Sequence, residues 1–217
     1  MSYYVGDIPA APLVIEPARG GDPLDISDYT VASISLIDPT GIPVEAQPTA
    51  TIVDDEGITV IRVTWGNASP FAASGVHVAR ITVSDDAGHK LRMPAVRLAV
   101  DTDDGWYTVD DARDDWLQGP VSDVRLYELL QVAKKEVIDF APDLPDGASV
   151  PLSYRQAQLD HARDVWNASK VDPSTGDDGD DSFAVRAFPL DWTIKQRLRP
   201  QHPGRPTVAG LPEGYVY

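Results

Sequence analysis

The chain contains no cysteine. That excludes a disulfide framework, a thiol nucleophile and any Cys-based zinc site. Nor does any run approach the ~20 consecutive apolar residues that span a bilayer, so no membrane helix is expected. The first residues, Met1 to Asp7, have no basic stretch ahead of an apolar one and do not read as a signal peptide. Basic residues are scarce: 18 Lys and Arg stand against 34 Asp and Glu, for a formal charge of −16. Wrapping DNA through its phosphates needs Lys and Arg, so that class of function is disfavoured. An acidic surface suits a wall that DNA passes without sticking, and it also serves plain solubility.

The usual carriers of chemistry are missing as well. Histidines stand at 77, 89, 161 and 202, and none has a second histidine two, three or four residues away. No metal site on a strand or helix is therefore signalled, and His77 and His161 are expected to be structural. Asp101, Asp103 and Asp104, and again Asp177, Asp178, Asp180 and Asp181, offer oxygen ligands. Neither group has the twelve-residue loop closed by a bidentate Glu, so both read as solvated turns. Gly20-Gly21 is followed by Asp-Pro rather than by Lys-Ser/Thr, and no Gly-x-Ser-x-Gly elbow occurs. Asn67-Ala-Ser69 and Asn167-Ala-Ser169 are read as chance matches to the glycosylation sequon. No enzyme activity, no cofactor and no metal are expected.

Residues 1–104 read as β structure. Short runs rich in Val, Ile and Thr, at 12–16, 29–37, 49–53, 58–65, 76–84 and 90–100, are divided by Gly, Pro and Asp. Most alternate between two faces. Asp85-Asp-Ala-Gly88 marks a hairpin turn. Six or seven short strands in about 100 residues have the spacing of an immunoglobulin-like β-sandwich, with Trp65 a candidate core aromatic. The pattern leaves a small barrel open.

At Asp101–Gly105 the period changes, which places a domain boundary at 104/105. Thr108 and Asp111 form a weak capping box opening a short helix to about Leu117, ended by Gly119-Pro120. Ser122 caps a long helix through Phe140, with Leu126, Leu130, Ala133, Val137 and Phe140 on one face. Ser153-x-x-Gln156 is a better capping box, opening a helix to about Ser169 with Leu159, Ala162, Val165 and Trp166 on its stripe. A small helical bundle over 105–200 follows from these elements. Asp172–Asp181 carries five acids and no base and reads as a solvated loop. Residues 201–217, with prolines at 203, 206 and 212, are expected to be an extended tail.

The stretch Phe183–Pro200 interleaves aromatic, aliphatic and basic residues. Residues 183–217 carry five Lys or Arg and two acids, a net +3 on a chain whose remainder is −19. Asp191 can cap a helix from Trp192, which Pro200 ends. Ile194 and Leu198 then form an apolar stripe, while Trp192, Lys195 and Arg199 share another side. Two roles fit: the last helix of the bundle, with Trp192 and Leu198 in its core, or a docking element. Both can hold together. The candidate interface residues are Arg186, Phe188, Leu190, Trp192, Ile194, Lys195, Arg197, Leu198 and Arg199.

Tyr107-Thr-Val-Asp-Asp-Ala-Arg-Asp-Asp-Trp116, the helices at 123–139 and 156–169, and above all Phe188-Pro-Leu-Asp-Trp-Thr-Ile-Lys-Gln-Arg-Leu-Arg-Pro200 give the second half its likeness. It resembles the head-to-tail adaptor, or connector, proteins of long-tailed bacteriophages infecting actinobacteria. The resemblance implies a structural virion protein, assembled in the host cytoplasm, forming a ring of twelve beneath the portal protein. It implies contact with neighbouring adaptor subunits and with the next connector or stopper ring. It also implies transient passage of double-stranded DNA through the lumen, with no catalysis and no membrane. The C-terminal extension would engage the portal or a neighbour. The β half departs from the minimal family fold. Two other readings stay open: a tail or baseplate accessory protein whose sandwich is the binding module, and a carbohydrate-binding module or enzyme. Exposed aromatics at Tyr3, Tyr4, Tyr29 and Trp65 would favour the carbohydrate reading.

Overall fold

A computed structural model describes residues 2–55, 57–170 and 190–199. Strands fill the first half and helices the second. The strands are β1 (Tyr3–Tyr4), β2 (Leu13–Ile15), β3 (Ala18–Arg19), β4 (Asp22–Pro23), β5 (Val31–Ile37), β6 (Thr49–Asp55), β7 (Ile58–Thr64), β8 (Gly75–Ser84), β9 (Lys90–Arg92) and β10 (Val96–Asp101). The helices are α1 (Val109–Asp115), α2 (Asp123–Phe140), α3 (Leu152–Lys170) and α4 (Trp192–Leu198).

One sheet has the order β1-β10-β8-β5, with β9 also on β8; a second has the order β2-β7-β6; β3 and β4 make a small hairpin. All pairings are antiparallel except β1 with β10. Leu36, Ile81, Val83, Leu98 and Val100 of the first sheet share one buried cluster with Ile61 and Val63 of the second. The alternating strands thus turn their apolar sides to a common core. Tyr3, Trp65 and Phe71 close one part of it, with ring centroids 4.9–5.7 Å apart. Gly75 lets the chain pass Pro39: its φ is +141°, and a Cβ there would lie 2.3 Å from the Pro39 ring. The outer edge of β5 is closed near Leu36 by a side chain. Gln47 Oε1 accepts from the Leu36 N–H at 2.7 Å, and its Nε2 donates to the Leu36 carbonyl at 2.9 Å. An amide in that place blocks edge pairing at this point.

The run 90–100 is not one strand. Pro94 has no N–H to give the ladder, so the run breaks into β9 and β10. Thr82 faces Arg92 while Ala79 faces Val96, so three residues oppose two and form a bulge. The alternation changes phase there. Met93, Leu98 and Val100 enter the sheet core, and Ala99 turns to the helices.

Those helices cover the other face of the first sheet. Ala99 and Val76 pack with α1, Trp116, α2 and α3 in a second cluster. Leu126, Leu130, Ala133 and Val137 of α2 are buried as their spacing requires. Thr108 and Asp111 form a complete capping box on α1. Asp101, also buried, accepts from the Val109 N–H at 2.8 Å and the Thr102 N–H at 3.0 Å. Burial outweighs these bonds and raises its carboxyl above the usual carboxylate range. Helix α3 begins at Leu152, one residue before the expected cap Ser153. The carbonyl of Pro151 accepts from the N–H groups of Tyr154 at 2.9 Å and Arg155 at 3.2 Å. Pro151 thus stands at the cap position that Ser153 was expected to hold. The halves are tied across the boundary by Arg97–Glu128 at 2.6 Å, by Lys134–Asp104, and by the Tyr4 hydroxyl donating to Asp110 at 3.1 Å. No helix among the described residues is long and apolar enough to cross a membrane.

Candidate partner-docking face

Helix α4 is built to show two different sides. Asp191 caps it, its carboxylate accepting from the Thr193 N–H at 2.7 Å. The Thr193 hydroxyl and then that backbone bond hold the Asp191 carboxyl below its ordinary pKa. Leu190, just before the cap, has φ +34°, a backbone region costly for a residue with a side chain. Its buried side chain explains why the conformation persists. Leu190, Ile194 and Leu198 pack with Trp106, Val137, Ala141, Tyr154 and Ala157. These three candidate interface residues therefore serve the chain's own core. They are covered within the chain and offer nothing to a partner.

The opposite side is different. Trp192 is 61 % exposed. Lys195 and Arg199 lie over the Phe140 ring, at 5.8 and 4.9 Å from its centroid. A cation over an aromatic face is attracted by the ring quadrupole, so Phe140 orders two basic side chains beside an exposed indole. Neither Lys195 nor Arg199 makes an ion pair among the described residues. Arg197 points elsewhere and pairs with Asp160 of α3 at 2.7 Å, next to Arg163. Of the nine candidates, exposed Trp192 and Arg199 and half-buried Lys195 form the outward face, and Arg197 helps hold the helix. Arg186 and Phe188 lie outside the described residues, as do the acidic loop 172–181 and the tail 201–217. Phe140 was the residue not singled out as part of this face. Its signal was its place as the last member of the α2 stripe, where a helix end leaves one ring edge open.

No group of three or more His, Asp or Glu is placed to hold a metal among the described residues. His77 is fully buried beside the Phe71 ring, and burial lowers its pKa. His161 is buried on α3 with Nε2 2.7 Å from Glu136. Asp164 nearby is raised above the usual carboxylate range, first by burial and then by the negative charges of Asp191 and Asp160. A shallow recess is lined by Asp115, Asp160, Arg163 and Arg197; both arginines pair with Asp160, and the Asp115 carboxylate accepts from the Tyr107 hydroxyl at 2.6 Å. Tyr3 and Trp65 are in the sheet core, so they cannot form an exposed aromatic platform for a sugar.

No family model matches the chain, and no curated protein matches it. Among solved structures it is similar to the crystal structure of CopC from Methylosinus trichosporium OB3b. The identity is 20 % over 49 % of this chain and 89 % of that one, with a TM-score of 0.29, too low to carry an argument.

Proposed function

We propose that this chain is a structural virion protein, a head-to-tail adaptor whose copies ring the DNA channel beneath the portal. The observation that carries the reading is the two-sided α4: a helix locked into the bundle that presents Trp192, Lys195 and Arg199 outward on a chain of charge −16. Aromatic and Arg residues are the types that concentrate binding energy at interface centres. Residues 200–217, which follow it in sequence, are assigned as the extension that reaches the portal. A strongly acidic body lets DNA pass with little adhesion. The β half is read as an immunoglobulin-like sandwich, supported by two sheets that share one core, and as a decoration or contact module on the ring.

The test is co-assembly with the portal protein encoded in the same genome. Removing everything after residue 179 would also strip Leu190, Ile194 and Leu198 from the core, so a chain ending at Arg199 is the better truncation. The full chain is expected to form rings on portal, and the shortened chain to stay folded and fail. Equal capture of both would remove the extension from the account. Capture of neither would overturn the adaptor reading.

A further inference from the structure

The loop between α1 and α2 carries the two most exposed large apolar side chains among the described residues, Leu117 at 92 % and Val121 at 97 %. This loop is held firmly. Arg113 donates to the carbonyls of Pro120 and Val121 and to the Asp123 carboxylate at 2.7 Å. Gly119 lies against Trp116, where a Cβ would come within 3.2 Å of the indole. Exposed apolar side chains on a fixed loop lose little freedom on binding. The rim of this knob is acidic: Asp114 and Asp115 are exposed, and Asp114 makes no ion pair among the described residues.

The α4 face is its opposite in charge, an exposed indole flanked by Lys195 and Arg199. The knob and the Phe140 edge of this face lie at opposite ends of α2. The knob precedes the first residue of α2, and Phe140, under Lys195 and Arg199, is the last. Eighteen helical residues separate them by about 27 Å at 1.5 Å per residue.

We propose that copies of this chain join head to tail, the Leu117–Val121 knob of one entering the Trp192 face of the next. Such a contact uses different surfaces on the two copies, and it closes into a ring or extends as a filament according to the rotation per step. The proposal deepens the adaptor reading by naming the neighbour contact, and it leaves residues 200–217 for the portal.

Because the chain has no cysteine, paired single cysteines report this contact cleanly. Gln118 and Gln196 are exposed beside the knob and one turn from Trp192. Gln118→Cys mixed with Gln196→Cys under oxidation is expected to give a covalent dimer about tenfold above either variant alone. The same excess is expected over a control pairing Gln118→Cys with Ile42→Cys on the sheet half. Adding Leu117→Asp, or Trp192→Ala, should bring the yield to the control level; both side chains are exposed, so folding is retained. Cross-linking of the mixed pair at the control level, or dimers forming chiefly within single variants, would overturn the proposal. Portal capture is measured in parallel. Specific cross-links without portal capture would sink the adaptor reading and keep the contact; portal capture with control-level cross-links would do the reverse.

Discussion

Gln158 in the helical half and His77 in the sheet half are both fully buried, and they are held in opposite ways. Gln158 accepts from the Tyr107 N–H at 2.8 Å and donates to the Leu130 carbonyl at 3.1 Å, tying α3 to α2 and to the segment leading into α1. Among the described residues neither ring nitrogen of His77 meets a partner at full hydrogen-bonding geometry, although the Gly75 backbone lies close enough to favour its charged form. It fills space against Phe71 as an apolar ring would. At Gln158 the helical half adds directional bonds to its own apolar clusters, which fixes α3 against α2. At His77 the sheet half relies chiefly on packing, which is strong and indifferent to detail.

That contrast can be broken in several ways. The largest effect is expected from Ile81→Ala in the core between the sheets, about 3 kcal/mol of lost global stability from transfer and cavity terms, read by urea unfolding. Gln158→Leu should cost about 2 kcal/mol, because it strands the buried Tyr107 N–H, and should loosen the α2–α3 contact in hydrogen exchange. His77→Leu should matter through pH. Burial lowers the folded-state pKa of His77, partly opposed by the Gly75 backbone and Asp38, while the unfolded chain takes up its proton near 6.5. Its contribution to stability is therefore present above that pH and is lost as pH falls through it toward the lowered folded value. Wild type should show this loss in denaturant titrations between pH 7 and 5, and His77→Leu should show a smaller one. Arg197→Ala breaks a pair that solvent reaches from both sides, and it should cost under about 1 kcal/mol.

Much of this was legible in the sequence, for identifiable reasons. The long helices obey a sustained 3.6-residue period, so α2 was found at its observed ends, and the two sides of α4 followed from Ile194 and Leu198 against Trp192, Lys195 and Arg199. The broken strand at Pro94 was missed because alternation was counted through a residue that cannot donate. The parallel pair β1–β10 was missed because two residues have no pattern, and because their partner lies almost a hundred positions away. What Leu190, Ile194 and Leu198 pack against was also beyond local reading. Trp106, Val137 and Tyr154 come from separate parts of the chain, and the same apolar stripe serves a core or a partner equally well.

Hydrogen exchange over residues 190–199 of the isolated full chain addresses the two-sided α4 most directly. The account predicts protected amides in the free protein, since the inner side is already in the core, with protection lost in Ile194→Ala while the sheet half is unchanged. Unprotected α4 amides in the free wild type would contradict it, because the helix would then fold only on a partner and its inner residues would belong to that interface.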